Sequence, residues 1–159
     1  VDLGGGSLTS GETLTLSPGA SLVGTGTVNG DLENGGEVSP GSSPGLITVS
    51  GDYTQTADGL LTMELGGLTA GTQFDQLVVE GSATLAGDLV VTLIDPFAPQ
   101  TGDQFMILTY ASRSGQFDAV TLPTLTAGLG WETEYTDSGL ILSVKGPELT
   151  FVFLPLLMR

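Results

Sequence analysis

TVNGDL (27–32) returns as TVSGDY (48–53) and again as TLAGDL (84–89). Each copy reads Thr, an aliphatic residue, a variable residue, Gly-Asp and an apolar residue. The copies start 21 and then 36 residues apart, so the repeat is degenerate. Such recurrence implies one structural unit stacked several times. Val28, Val49 and Leu85 are expected to point inward, and Leu32, Tyr53 and Leu89 to return to the interior. Gly30-Asp31, Gly51-Asp52 and Gly87-Asp88 are expected at exposed bends. Gly tolerates positive φ there, and Asp bonds nearby backbone.

The sequence around these phrases alternates with period two. Leu14 and Leu16, Ile47 and Val49, Leu61, Met63 and Leu65, Leu77 and Val79, and Leu89, Val91 and Leu93 all fall in short groups. Alternation of this length marks half-buried strands. The clusters SPGAS (17–21), SPGSSPG (39–45) and GGLTAGT (66–72) separate them as turns. Strands of about five residues between tight turns fit a β-solenoid or a flat sandwich. No ten-residue helical pattern occurs, which excludes the crossover helices of an α/β fold.

Three regions follow from this reading. Residues 1–95 carry the β-solenoid repeats. Residues 96–146 hold Phe97, Phe105, Tyr110, Phe117, Trp131 and Tyr135, with strand candidates at 104–110, 116–122, 131–136 and 139–145. They are expected to be a β-rich closing module, since an uncovered last layer exposes core and unpaired backbone. Residues 147–159 form an apolar tail in which only Thr150 is polar between Leu149 and Met158. That run is too short for a helix to cross a bilayer, which takes about 20 residues. Thr150 to Leu154 reads as a strand instead.

Composition excludes several functions. The formal net charge is −15, with only three Lys and Arg against 18 acids. Phosphate binding needs clustered cations, so no nucleic-acid partner is expected. There is no Cys and no His, which removes disulfides, ordinary zinc sites and His-based acid–base catalysis. No cofactor is expected. The chain opens on a polar, Gly-rich stretch with no signal sequence, as a processed chain or a fragment would.

The run from Gly24 to Gly67, GTGTVNGDLENGGEVSPGSSPGLITVSGDYTQTADGLLTMELGG, with GTQFDQLVVEGSATLAGDLVVTLI after it, resembles the β-helical passenger region of bacterial autotransporters and related secreted adhesins. GDQFMILTYASRSGQFDAVTLP, GLGWETEY and GLILSV are similar to the segment that closes such passengers. The resemblance covers about 24–145. It implies an all-β fold, a right-handed parallel β-solenoid with a β-rich C-terminal cap, on a protein that is extracellular or on the bacterial cell surface. It implies no catalytic residue. Family members continue into a linker helix and an outer-membrane barrel; here the apolar tail follows instead.

Four features of the sequence are candidate sites. Asp31, Glu33 and Glu37 form the densest acidic cluster, a candidate for calcium. Their spacing matches no EF-hand loop, and a solvated turn is the simpler reading. Glu132 and Glu134 beside Trp131 and Tyr135 are the nearest approach to a glycosidase carboxylate pair. On a strand the two acids share an exposed face and the aromatics the buried one. DLGGGSLTSG (2–11) lacks the Lys and the following helix of a phosphate loop. The tail residues Leu149, Phe151, Phe153, Leu154, Leu156 and Leu157 are the candidate assembly surface.

The expectation is therefore a non-enzymatic structural subunit of an extracellular filament. Its partner would be further copies of itself, joined head to tail by donation of the apolar C-terminal strand to an open first layer at residues 1–16. A passenger or adhesin fragment that binds host or matrix surfaces is the alternative; a ladder of exposed aromatics on one face would favour it, and the repeats offer only Tyr53 and Phe74. A polysaccharide-degrading enzyme is the third reading.

Overall fold

The computed structural model describes residues 1–148. They are all strand, turn and bend, with no helix among them. The strands come in successive triplets. The first is β1 (Ser7–Thr9), β2 (Leu14–Leu16) and β3 (Ser21–Gly24). The second is β4 (Gly26–Asn29), β5 (Leu32–Asn34) and β6 (Glu37–Pro40). The third is β7 (Leu46–Val49), β8 (Tyr53–Gln55) and β9 (Leu60–Leu65). The fourth is β10 (Gln76–Val79), β11 (Ser82–Leu85) and β12 (Asp88–Leu93). The fifth is β13 (Gln104–Thr109), β14 (Ser112–Gly115) and β15 (Ala119–Thr121). Two longer strands end the series, β16 (Gly130–Tyr135) and β17 (Gly139–Lys145).

Each triplet places one strand in each of three sheets. The first sheet runs β1-β4-β7-β10-β13-β17-β16, the second β14-β11-β8-β5-β2 and the third β15-β12-β9-β6-β3. Every pairing between triplets is parallel, as between Thr27 and Thr48 or Leu61 and Leu89. Parallel pairing continues past residue 95, through β13, β14 and β15 to Thr121. Only β17 breaks the pattern: it lies antiparallel on β13, and β16 lies antiparallel on β17.

Period-two alternation explains the core. In β9 Leu61, Met63 and Leu65 are fully buried, while Leu60, Thr62 and Glu64 lie on the other face, half-buried. Val28, Val49, Leu85, Leu32, Tyr53 and Leu89 are all buried, as the repeated phrase predicts. Each such aliphatic side chain contributes about 1.5–3 kcal/mol on burial. Asp31, Asp52 and Asp88 are exposed.

The third phrase is nonetheless out of phase. Val28 and Val49 lie at the ends of first-sheet strands, Val28 next to last and Val49 last, and Asp31 and Asp52 sit in the links to the second. Leu85 instead ends a strand of the second sheet, and Asp88 opens a strand of the third. The stacked equivalent of Gly30 and Gly51 is Gly81: the Gly51 N–H donates to the Gly30 carbonyl, and the Gly81 N–H to the Gly51 carbonyl, both at 3.1 Å. Gly-Asp thus marks the chemistry of a bend, not which bend it is.

These aspartates act across triplets. Asp31 accepts from the Asp52 N–H at 2.9 Å, and Asp52 accepts from the Ser82 N–H at 2.7 Å. Ser82 holds the Asp52 carboxyl below the usual aspartate range. The glycine requirement differs from the expectation too. Gly30 has a φ of 118°, but Gly51 is not left-handed. A Cβ at Gly51 would strike the Asp31 carboxylate and the Gly30 carbonyl, so turn-on-turn stacking excludes side chains there. Asp52→Ala is expected to speed amide exchange at Ser82 selectively, measured by NMR. Uniform exchange across the chain would show that the clamp is not local.

Candidate functional site

No catalytic constellation stands out among the described residues. Glu132 and Glu134 are exposed on β16, and Glu132 pairs with Lys145 at 2.7 Å. Trp131 and Tyr135 lie on the opposite face, half-buried. The Trp131 indole N–H donates to the Pro123 carbonyl at 2.8 Å, and its ring packs 6.0 Å from Phe105. Both aromatics therefore help close the core, and no cleft separates the two acids.

The acidic cluster is spread over two sheets. Asp31 lies in a link, Glu33 on β5 of the second sheet and Glu37 on β6 of the third. Asp31 is engaged with Asp52, and Glu37 accepts from the Thr62 hydroxyl at 3.1 Å. No three Asp or Glu converge as a metal site among the described residues. Tyr53 and Phe74, the two aromatics a sugar-binding face in the repeats would need exposed, are both buried. The stretch 2–11 is a turn followed by β1: the Gly6 N–H bonds the Leu3 carbonyl, and Asp2 bridges to Val23.

Sequence reasoning passed over the buried polar groups. The Asn34 amide donates to the Tyr53 hydroxyl at 3.1 Å and the Leu60 carbonyl at 3.0 Å. Its oxygen accepts from the Gly36 N–H at 3.1 Å. The Tyr53 hydroxyl donates to Gln55 at 2.7 Å, and Gln55 donates to the carbonyls of Gly59 at 3.0 Å and Asp88 at 2.8 Å. Burial pushes the Tyr53 phenol far above its usual range, so it stays a neutral donor. Asp75, fully buried, accepts from the N–H groups of Gly45 and Glu64. All of these groups are satisfied within the fold, so they fasten successive triplets and leave nothing for a ligand. Alternation from Tyr53 places Gln55 inward and signals it; nothing local signals Asp75.

The poles of the ladders hold the unpaired groups. At the first pole β1 and β2 end their sheets, while Asp2 and Leu3 partly cover β3. At the second pole the β16–β17 hairpin covers β13, but β14 and β15 end their sheets uncovered. Every residue of β14 and β15 is exposed. Arg113 of β14 lies 4.7 Å above the Tyr135 ring and donates to the Gly115 carbonyl. A depression beside it is lined by Ala111, Ser112, Arg113, Thr136 and Asp137. The assembly candidates Leu149, Phe151, Phe153, Leu154, Leu156 and Leu157 lie outside the described residues.

No protein-family model matches the chain, and no curated protein matches it.

Proposed function

We propose that this chain is the structural subunit of a secreted extracellular filament, on or outside the bacterial cell surface. In this reading the three sheets coil as a right-handed parallel β-solenoid. Residues 1–95 are its repeats, 96–146 its closing module and 147–159 an apolar donor strand. Copies join head to tail: the tail of one adds to the open first triplet, residues 1–16, of the next.

The observation that carries this reading is the pair of open poles. Unpaired strand edges template further pairing, and proteins that stay single usually protect them with charge, Pro or a covering element. Here β1 (Ser-Leu-Thr) and β2 (Leu-Thr-Leu) at one pole carry no charge at all. The poles differ from each other, so a contact between them is heterologous and propagates along an axis. The apolar tail supplies the strand that β-augmentation needs. The rest of the surface is strongly acidic, which opposes lateral clumping while leaving end-to-end contact free.

Deletion of 147–159 tests the proposal. The truncated chain is expected to stay folded and soluble, because the buried core from Leu16 to Val144 lies wholly within residues 1–148. It should no longer form fibres in negative-stain images, whereas the full chain should. Added tail peptide should shorten the fibres. Normal fibres from the truncated chain would overturn the donor-strand mechanism, and an unfolded truncated chain would place the tail in its own subunit's core.

A further inference from the structure

Arg113 stands where its ladder otherwise carries an apolar side chain. β14 lies in register on β11, with Arg113 beside Ala83. Ala83 lies beside Tyr53, Tyr53 beside Leu32, and Leu32 beside Leu14. Leu32, Tyr53 and Ala83 are buried, so this column points into the core. Its fifth member is a cation. The matching columns of the other two sheets stay apolar, passing from Leu77 to Leu108 and from Leu89 to Val120.

The charge is held at the second pole. The guanidinium lies 4.7 Å above the Tyr135 ring, whose negative face attracts it, and one N–H goes to the Gly115 carbonyl. Arg113 is exposed, and no strand follows β14 in its sheet. A strand added to β14 would set its own side chain against Arg113 in the same column. An apolar residue there would bury the guanidinium without a counter-charge, which is strongly unfavourable. An inward-pointing charge is one way in which a sheet edge resists pairing. Gly115, with a φ of 68°, turns the chain out of the ladder directly after, so the edge is also short. β1 and β2 at the other pole carry no charge. The depression beside Arg113 makes a poor seat for an anion, because Asp137 lines it too.

We infer that Arg113 is the stop of the second sheet: it keeps β14 of one copy from pairing with β14 of another. That contact is self-complementary about a two-fold axis and would close two copies into a dead-end pair. It would also bring the two Arg113 side chains close together, and like charges across paired strands repel. The second pole is therefore uncovered at β14 but not free to pair, whereas the first pole has no such stop. The inference rests on the β14 edge and not on the filament reading.

Ser114→Cys reports the contact, since the chain has no Cys of its own and Ser114 lies in β14. With Arg113 in place, mild oxidation of the dilute full chain should leave position 114 almost unlinked. Adding Arg113→Leu should raise 114-to-114 bonds between copies by about tenfold or more, read by non-reducing gel and peptide mass spectrometry. Arg113→Lys keeps the charge and should stay low. Arg113→Gln removes the charge with less change of shape and should also raise linking, so the test stands even where Arg113→Leu does not fold. Amide protection on β11 shows that each variant keeps its ladder. Linking that does not rise in the folded neutral variants would overturn the inference. Linking that falls in them would overturn it too, by making Arg113 a docking contact. Fibres without a 114-to-114 bond, and a rise in that bond in the neutral variants, would uphold both this inference and the filament reading. The same rise with no fibres from the wild-type chain would uphold the inference and defeat the filament reading alone.

Discussion

Replacing Asp75 by Asn is expected to destabilise the fold by about 2–4 kcal/mol, although the two side chains have nearly the same shape. Asp75 is fully buried, and its two oxygens accept separate backbone N–H groups, from Gly45 at 2.7 Å and Glu64 at 2.8 Å. An Asn turns an NH2 toward one of those donors, so both are left unpaired. Each buried unsatisfied group costs about 1–3 kcal/mol. The loss should appear as a lower denaturant midpoint with an unchanged slope. The two tied segments are 30 and 11 residues away in sequence. The effect therefore belongs to the packing of triplets and not to a local turn.

The same residue predicts a pH dependence. Burial pushes the Asp75 carboxyl up to about 7, assisted by the neighbouring Glu64 charge and opposed by the two N–H bonds. The folded value lies above the ordinary 3.8. Between those values the folded chain keeps a proton that the unfolded chain has lost. The contribution is fully present below about pH 4 and is lost as the pH rises through about 7. Self-repulsion among the other acids changes over part of this range, so the difference between wild type and Asp75→Asn is the quantity to measure. Wild type should lose stability from pH 5 to pH 8 more steeply than the variant. Parallel curves would show that Asp75 is ionised throughout.

The layered β core was legible because alternation is a local signal that survives irregular repeat length. Ile47, Val49, Leu77, Val79 and Val91 lie in the core where the pattern put them, although Leu14 and Leu93 are only half-buried. The phase of the repeat was not legible from Gly-Asp alone. Stacked links recur after 21 and then 30 residues, as the Asp31 and Asp52 bonds record, because the third triplet carries a longer link at 66–75. The strand at β14 was missed for a different reason. Ser-Arg-Ser-Gly has no apolar residue and buries none, so it is a strand only because β11 lies beside it. Strand edges are properties of neighbours, and for that reason the open pole at β14 and β15 does not appear in any stretch of sequence.

Phe105→Ala should have the largest effect of any single substitution in the closing region, a loss of about 3–5 kcal/mol. Phe105 is fully buried at the point where parallel β13 receives antiparallel β17, paired in register with Leu142. Three rings pack around it: Phe74 at 5.4 Å and Phe97 at 6.0 Å, both edge-on, and Trp131 at 6.0 Å. Removing the central ring leaves a cavity bounded by stiff ladders that cannot collapse around it, which places the cost at the upper end for its type. A domain of this kind has about 5–15 kcal/mol in total, so the variant should be close to unfolding at physiological temperature. Trp131, the chain's only tryptophan, reports the event directly. Its emission should shift to the red in the folded variant, since the hairpin that carries it loses its anchor. A cost under about 1 kcal/mol with unchanged Trp131 emission would show that the aromatic cluster does not hold the hairpin on β13.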